Sequence, residues 1–187
     1  MLMYICHFVL KNLLMTTEHG DYLMKSFTDE HMERLFEKFI LEFYRRHYPK
    51  CKAVPKEIEW EFDKAEMSIE SEFVLPAMKT DIFLTINSRT LIIDAKYYAH
   101  SLISNMGKYR INSPNFYQIY SYVHNYDKEH LGIVDGMLLY AQTQAEGKMD
   151  YQYQNKEGNT FYVKSLDLNQ DFEVIKQQLV NIIGLYK

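Results

Sequence analysis

The chain has 187 residues, of which 47% are apolar and 25% are charged, and these proportions are typical of one globular domain with a sizeable core. The formal net charge of −4 gives no general argument for binding to nucleic acid, and no apolar run approaches the roughly 18 residues of a membrane span. The two cysteines form no CxxC pair and are too few for a disulfide framework, so we expect a cytoplasmic protein without membrane attachment. The seven histidines are scattered along the chain without the spacing of zinc ligands.

Hydrophobic periodicity and turn residues predict helices and strands in an irregular alternation. The predicted helices are residues 3–15, 29–48, 113–126 and 171–186. The predicted strands are EIEWEF at residues 57–62, two strands within residues 80–96, and residues 133–143, 150–154 and 160–168. This order predicts an α/β (α+β) fold in which a central mixed β-sheet is flanked by helices.

Two of the predicted helices carry apolar residues at helical spacing, which defines their buried stripes. The stripes are Met32, Leu35, Phe36, Phe39, Ile40 and Phe43 in helix 29–48, and Phe116, Ile119, Tyr120 and Val123 in helix 113–126. Gln118 and Tyr122 are one turn apart, and we expect both to face away from the second stripe.

The segment TDIFLTINSRTLIIDAK, residues 80–96, predicts two strands joined by a turn, with charges where buried strands usually exclude them. If the turn is the pair Asn87–Ser88, the register places Asp81 directly opposite Asp94, with Cβ atoms about 5 Å apart. Lys96 lies two residues beyond Asp94, so the period of two puts it on the same face. The spacing therefore predicts that all three charges converge.

Two facing carboxylates repel each other, and a cation between them stabilises the pair. Oxygen ligands without sulfur or imidazole suit Mg²⁺, for which Mn²⁺ can substitute, so we predict a metal site formed by Asp81, Asp94 and the Ala95 carbonyl. The ammonium of Lys96 can position a water or stabilise charge on an attacked phosphate, which suits phosphodiester hydrolysis. The alternative is a surface salt bridge between Lys96 and either aspartate, although the apolar flanking residues VLPAM and LII do not suit an open sheet face.

Positive and negative charges are segregated in the middle of the chain. Residues 38–56 hold six Lys/Arg side chains against one Glu, whereas residues 57–72 hold seven acids against one Lys. A phosphate-binding patch that includes Arg45 and Arg46 explains the basic segment, and so does an ordinary solvated surface.

A second basic segment is the loop SLISNMGKYRINSPN, residues 101–115. It follows closely on the strand that ends at Lys96, so Lys108 and Arg110 can reach phosphates next to the predicted site. We therefore expect this loop to contact the DNA backbone.

The segments LPAMKTDIFL, TLIIDAKYY and NFYQIYSYV occur in this order and resemble the PD-(D/E)xK nucleases, in the RecB-like form that adds a Gln-x-x-x-Tyr helix. More closely, the chain is similar to the C-terminal nuclease region of the McrC type, the endonuclease subunit of the McrBC modification-dependent restriction system. MERLFEKF, GMLLYAQT and SLDLNQDFEVIKQQL also match, so the resemblance covers the chain from residue 27 onward. Each motif alone is weak, but the ordered set is fairly specific.

The resemblance implies roles for the residues that match its motifs. It implies metal ligation by Asp81 and Asp94 and a catalytic role for Lys96. It also implies that Gln118 orients the metal-bound water or the scissile phosphate, and that Tyr122 supports this helix or touches the DNA backbone.

The acid on the first long helix is less certain from the sequence. The resemblance implies Glu37, which occupies the position of the family's LFE motif. By helical angle, however, Glu33 lies nearer the apolar stripe and is better placed to reach a site on the sheet. We predict Glu37 as the catalytic acid, with Glu33 as the alternative, and a third interpretation is that both are solvated helix charges.

The resemblance also implies a domain organisation and partners. We expect an N-terminal helical segment at residues 1–26 and a PD-(D/E)xK nuclease domain at residues 27–187. Because few residues precede the nuclease helix, the region that docks on a GTPase partner is expected on another chain or is absent.

The expected function is a Mg²⁺-dependent DNA endonuclease in a McrBC-like, 5-methylcytosine-dependent restriction system. The resemblance implies DNA and a McrB-like AAA+ GTPase as partners, and the sequence itself contains no GxxxxGK[ST] motif for binding a nucleotide. The alternatives are a stand-alone RecB-like repair nuclease and a catalytically silent DNA-binding or assembly module of the same fold.

Overall fold

The computed structural model describes residues 14–16, 22–24, 29–97, 102–105, 108–142 and 148–186. The helices in these residues are α1 (Asp29–His47), α2 (Ile69–Phe73), α3 (Ser113–Tyr126) and α4 (Phe172–Gly184), with short 3-10 helices at Pro49–Cys51 and Lys64–Glu66. The strands are β1 (Leu14–Thr16), β2 (Tyr22–Met24), β3 (Glu57–Ile58), β4 (Met78–Lys79), β5 (Ile82–Ile86), β6 (Arg89–Lys96), β7 (Leu102–Asn105), β8 (Lys108–Ile111), β9 (Val134–Ala141), β10 (Asp150–Gln154) and β11 (Thr160–Leu166).

Five strands form a central mixed sheet in the order β10–β11–β9–β6–β5. Its middle strands β6, β9 and β11 are parallel, whereas the outer strands β5 and β10 are antiparallel to their neighbours. The pairs β1–β2, β3–β4 and β7–β8 form separate two-stranded sheets. The predicted α/β fold with a mixed sheet flanked by helices is thus confirmed.

The hairpin of β5 and β6 has the register that the sequence predicts. The turn is Asn87–Ser88, and Ile86 pairs with Arg89 while Ile82 pairs with Ile93. Asn87 has a φ of +56°, a conformation that Asn tolerates better than most residues. The local turn chemistry therefore determines which side chains of β6 lie on each face of the sheet.

The two faces of the sheet are covered by different helices. Leu91, Ile93 and Ala95 of β6 pack in one core with α1 and α4, whereas Ile92 packs in a second core with α3. The predicted stripe of α1 is buried at Phe36, Ile40 and Phe43 and half-buried at Met32, Leu35 and Phe39. Within the described residues, no helix combines the length and the apolar character that a membrane crossing requires.

The prediction is wrong about two tyrosines of α3. Ile119, Tyr122, Val123 and Tyr126 form the face that packs on the sheet, and Tyr122 is only 5% exposed. Tyr120 instead lies at the margin, exposed on one side and stacked on a ring of β11 on the other. The four packed residues also recur at helical spacing, so the sequence is compatible with the predicted stripe and with the observed one. Tertiary packing selected the stripe that includes Tyr122.

The strand predicted from the alternation EIEWEF is shorter than expected. Only Glu57–Ile58 forms β3, which pairs with Met78–Lys79 of β4. Beyond it, Trp60 donates its ring N–H to the Pro76 carbonyl and stacks on Phe62 with ring centroids 5.5 Å apart. Side-chain contacts therefore replace the strand ladder after two residues.

The helix predicted at residues 3–15 lies mostly outside the described residues. At its end, however, the helix prediction is wrong, because Leu14–Thr16 form a strand paired with Tyr22–Met24. This pairing places extended backbone within residues 1–26, where a helical segment was expected.

Gly136 in β9 allows α3 to lie close to the sheet. A Cβ atom there would lie 2.8 Å from Ile119 Cγ1, 2.9 Å from Val123 Cγ2 and 3.1 Å from Phe161 Cδ1. Real Cβ contacts are essentially never below 3.0 Å, so an added methyl group requires the Ile119 and Val123 side chains, or α3 with them, to shift.

We therefore expect Gly136→Ala to destabilise the protein by about 1–3 kcal/mol, the usual effect of overpacking a core. Urea denaturation of the two proteins measures this difference. Gly184→Ala is the matched control, because no atom lies within 4 Å of a Cβ at that position. Equal loss of stability in both variants would show that α3 does not depend on the close approach at Gly136.

Candidate active site

The carboxyl end of β6 places Asp94 and Lys96 on one face of the sheet. Because β6 is paired with β5 on one side and with β9 on the other, its backbone position is well determined. The Asp94 side chain is only 1% exposed and the Lys96 side chain 12% exposed, and Lys96 Nζ lies 3.1 Å from Asp94 Oδ2. A buried carboxylate is therefore paired with a largely buried ammonium group.

Asp81 joins this pair from the residue immediately before β5. The ladder ends at Ile82, which pairs with Ile93, so Asp81 lies just beyond the regular pairing. Its Oδ2 accepts a hydrogen bond of 2.8 Å from the backbone N–H of Ala95. The hairpin thus brings Asp81 to Asp94, as predicted, but the Asp81 carboxylate reaches across to the backbone of the opposite strand.

Helix α1 contributes two glutamates to the same place. Its Phe36 ring contacts Tyr97, just after β6, with ring centroids 6.2 Å apart. Glu33 Oε1 lies 3.7 Å from Lys96 Nζ, and Glu37 is half-buried one turn further along. The structure therefore brings both glutamates to the site, and Glu33 is the one whose carboxylate is paired with Lys96.

The electrostatic environment of Glu37 is unfavourable for its charged form. Burial raises the pKa of Glu37 to about 7, and the negative charges of Asp81 and Glu33 add to the rise. Lys96 and Arg34 oppose it by smaller amounts. A glutamate of this kind loses its proton near neutral pH, in the range useful for a general acid or base.

The two aspartates are also harder to ionise than free carboxyl groups. Burial raises the pKa of Asp94, and the nearby charge of Asp81 raises it further against the opposing effect of Lys96. Burial raises the pKa of Asp81 as well, while the Ala95 N–H and Lys96 lower it.

We define the carboxylate cluster as Asp81, Asp94, Glu33 and Glu37 together with Lys96.

Tyr122 and Gln118 of α3 form a chain of hydrogen bonds to the backbone that precedes Asp81. The Tyr122 hydroxyl donates a hydrogen bond of 3.0 Å to the Lys79 carbonyl, and Gln118 Nε2 donates one of 2.8 Å to the Tyr122 hydroxyl. Tyr122 is buried, so of its two implied roles, supporting the helix and touching the DNA backbone, the structure favours the first. Its position supports the backbone that leads to Asp81.

Thr80 is a supporting residue that the sequence analysis missed. It is 1% exposed, and its hydroxyl accepts a hydrogen bond from the Lys56 N–H and donates one to the Lys56 carbonyl. Together with the Tyr122 contact, these bonds hold the residues on the amino-terminal side of Asp81. No short sequence pattern indicates this arrangement, because Lys56 and Thr80 are separated by 24 residues.

The basic residues predicted to bind DNA fall into two groups. Arg45 and Arg46 lie eight and nine residues after Glu37, the nearest cluster residue on α1, which on a helix is about 12–13 Å along the axis. Arg45 is engaged with the Ala53 carbonyl and with Glu42. The structure therefore does not bring this pair to the carboxylate cluster, because α1 carries the arginines away from it.

The second group belongs to the hairpin of β7 and β8, so the segment predicted as a loop forms two strands instead. Lys108 begins β8, and Arg110 in the same strand is exposed. The hairpin lies in the chain between Lys96 at the end of β6 and the start of α3, so it connects two elements of the site.

The donor set of the carboxylate cluster fits a hard divalent cation. Asp94 Oδ2 is buried without a hydrogen bond, although Lys96 Nζ is close enough for an ion pair. One ammonium group faces four carboxyl groups, so the cluster has excess negative charge when they are ionised. Carboxylate oxygens are preferred ligands of Mg²⁺, and a cation here would offset the burial and the repulsion that raise the pKa values of these carboxyl groups.

Comparison with known proteins connects this site to a family. The family described as "McrBC 5-methylcytosine restriction system component" matches residues 1–141 of the chain. The chain belongs to this McrBC family. The McrBC-family chain is also 28% identical over 184 residues to "Type IV methyl-directed restriction enzyme EcoKMcrBC" of Escherichia coli strain K12, covering 97% of this chain and 51% of that protein.

A solved structure shares the fold of the McrBC-family chain. It is the "Refined half-complex from tetradecameric assembly of Thermococcus gammatolerans McrB AAA+ hexamers with bound McrC", with a TM-score of 0.53 and 19% identity. The similarity covers 87% of this chain and 34% of that chain. The chain also spans about half the length of the curated relative that it matches.

The raised pKa of Glu37 leads to a prediction about stability. Its folded pKa of about 7 exceeds the ordinary value of 4.5, so the folded protein binds this proton more tightly than the unfolded chain does. Without metal, the contribution of Glu37 to stability therefore falls as the pH rises from about 4.5 to about 7. We expect Glu37→Gln to match the wild type near pH 4.5 and to be more stable at pH 8.

Urea denaturation in a chelating buffer at both pH values measures this difference. Glu70→Gln, which removes an exposed carboxylate from α2, is the control and should leave the free energy of unfolding unchanged at both pH values. A Glu37→Gln protein that is no more stable than the wild type at pH 8 would show that Glu37 is solvated and is not part of the cluster.

Proposed function

We propose that this protein is a Mg²⁺-dependent DNA endonuclease, the nuclease component of a McrBC-like restriction system that acts on 5-methylcytosine-containing DNA in the cytoplasm. The main support is the convergence of Asp81, Asp94, Lys96 and an α1 glutamate at one end of β6. Family membership supports the same function, because it associates the chain with 5-methylcytosine restriction.

The residues of the cluster have distinct proposed tasks. Asp81, Asp94 and the Ala95 carbonyl would hold the Mg²⁺ ion, with Glu33 or Glu37 beside them. When bound, Mg²⁺ would neutralise charge on the phosphate and lower the pKa of a coordinated water.

Lys96 is the cation that the protein itself contributes to the reaction. Both Asp94 and Glu33 lie within ion-pair distance of its ammonium group, and these contacts orient the group. In that position it can stabilise the charge that develops when a water oxygen loses a proton and bonds to phosphorus, while the bond from phosphorus to the leaving sugar oxygen breaks and that oxygen takes up a proton.

Gln118 and Tyr122 act through orientation. The hydrogen bond from Gln118 to Tyr122 leaves the amide oxygen of Gln118 able to accept a hydrogen bond from water, while Tyr122 fixes the strand that precedes Asp81. We propose that Gln118 orients the attacking water or the scissile phosphate and that Tyr122 is a positioning residue.

The proposed partner is a McrB-like AAA+ GTPase. The solved structure with the same fold contains McrB AAA+ hexamers with bound McrC. A nuclease that depends on such a partner would be nearly silent alone, which protects unmodified DNA from cleavage. We therefore expect strong cleavage only when the GTPase and GTP are supplied.

We expect Asp94→Asn and Lys96→Ala to abolish Mg²⁺- and GTPase-dependent cleavage of methylated plasmid DNA, each by at least about 10²–10³-fold. Asp94→Asn removes a buried charge, so its melting temperature without metal should equal or exceed that of the wild type. Gel analysis of supercoiled plasmid and thermal melting measure the two effects.

Lys176→Ala is the matched control for Lys96→Ala, because Lys176 is paired with Glu173 on the surface of α4. This control should cleave like the wild type. An Asp94→Asn protein that still cleaves would disprove the proposed site, and strong GTP-independent digestion of unmodified DNA by the wild-type chain would favour a stand-alone nuclease.

We also expect the β7–β8 hairpin to contact the DNA backbone. Replacing Lys108 and Arg110 together by Ala should weaken DNA binding and reduce the slope of log affinity against log salt by about one for each phosphate that the protein no longer neutralises. The control replaces Arg45 and Arg46, which removes the same charge at the far end of α1. If only the control weakens binding, the DNA groove lies along the end of α1 instead.

A further inference from the structure

Two histidines and a glutamate from separate segments meet on the surface of the molecule. His124 lies near the end of α3, His130 in the connection from α3 to β9, and Glu157 in the turn from β10 to β11. Each offers one ligand atom, and these atoms all lie within 4.8 Å of one another. We call these three residues the imidazole cluster.

The contacts within the imidazole cluster are close but leave the side chains accessible. The two imidazole rings have centroids 5.2 Å apart, and His130 Nδ1 lies 3.8 Å from Glu157 Oε1. All three residues are exposed. The cluster shares no residue with the carboxylate cluster, and His124 lies six positions beyond Gln118, which is about 9 Å along α3.

Buried hydrogen bonds hold the two turns of the cluster together. The Asp127 carboxylate accepts hydrogen bonds from the N–H groups of Leu131 and Gly132, which fix the turn that contains His130. Asn159, at the end of the other turn, donates a bond of 2.7 Å to the same carboxylate. The relative position of His130 and Glu157 is therefore set by the backbone and by buried side chains.

A close approach between the same two turns adds to this rigidity. Gly132 has a φ of +68°, and a Cβ atom there would lie 2.2 Å from the Glu157 carbonyl oxygen. Only glycine permits this contact. The backbone of Glu157 is thus packed directly against the turn that carries His130.

Two of the three side chains are also oriented by neighbours outside the cluster. Asn155 Nδ2 donates a hydrogen bond of 3.0 Å to Glu157 Oε2, which leaves Oε1 directed at His130. The His124 ring is stacked on Tyr120, with an interplanar angle of 15°. Supporting contacts of this kind are typical of metal sites, where they orient the ligands.

The donor set distinguishes this cluster from the one at the end of β6. Two imidazole nitrogens and one carboxylate oxygen suit Zn²⁺ and similar transition ions, whereas Mg²⁺ prefers oxygen ligands alone. Tetrahedral ligands at about 2.1 Å from a zinc ion are about 3.4 Å from one another. The observed separations, all within 4.8 Å, need a contraction of up to about 1.4 Å, which rotation of exposed side chains can provide.

We propose that His124, His130 and Glu157 bind one divalent transition-metal ion of the Zn²⁺ class, with water completing the coordination. The ion would fasten the end of α3 to the turn between β10 and β11. This inference does not depend on the proposed nuclease function, because it involves neither the carboxylate cluster nor DNA.

Calorimetric titration of the folded chain with ZnCl₂ tests the proposal, with MgCl₂ as the comparison. The test variant combines His124→Gln with His130→Asn, since asparagine tolerates the positive φ of +51° at residue 130. We expect the wild type to bind one Zn²⁺ that the variant lacks or binds at least about 100-fold more weakly. We expect a zinc-induced rise in melting temperature that is absent in the variant.

Two further variants make the result decisive. Glu129→Gln removes an exposed carboxylate next to His130 and should leave zinc binding unchanged. Glu157→Gln should weaken zinc binding, and this variant still tests the site if the double histidine variant folds poorly. Asp94→Asn should leave this zinc ion bound, because the carboxylate cluster is a separate site. Unchanged zinc binding in the histidine and Glu157 variants, or its complete loss in Asp94→Asn, would overturn the proposal.

Discussion

The site depends on one constraint, the burial of the Asp94 carboxylate at the end of a strand that is paired on both sides. A charge that is 1% exposed requires a partner, and Lys96 provides it at 3.1 Å. Lys96 is in turn paired with Glu33 of α1. The ends of β6 and α1 are therefore held at one place by charge balance as well as by apolar packing.

Apolar packing provides the frame on which this charge balance is built. The absence of a side chain at Gly136 lets α3 lie against the sheet, and the Tyr122 hydroxyl then reaches the Lys79 carbonyl close to Asp81. Helix α1 covers the opposite face with Phe36 and Ile40. Each residue of the carboxylate cluster is thus positioned by an element whose own location is determined by the core.

The carboxylate cluster and the imidazole cluster differ in how exposed their side chains are. In the carboxylate cluster, burial raises the pKa values of Asp81, Asp94 and Glu37. The imidazole cluster is exposed, but its turns are joined through the buried Asp127 and Asn159. An exposed site can therefore still be rigid, because the backbone below its ligands is fixed.

The sequence by itself determined features whose causes are local. The Asn87–Ser88 turn and the period of two decide the register of β5 and β6, and so predict that Asp81 meets Asp94. Helical spacing likewise predicts the buried stripe of α1. The end of β3 at Ile58 was not predicted, because contacts of Trp60 with a distant carbonyl replace the ladder.

Only the tertiary structure decided which side chains are buried or paired where the local sequence allows more than one arrangement. Helical spacing allows a buried stripe of α3 that includes either Tyr120 or Tyr122, and packing on the sheet selected the one with Tyr122. The two glutamates of α1 differ by one turn, and the position of Lys96 determines that Glu33 is paired with it. His130 and Glu157 are far apart in the chain, so only the packing of two turns reveals that they meet.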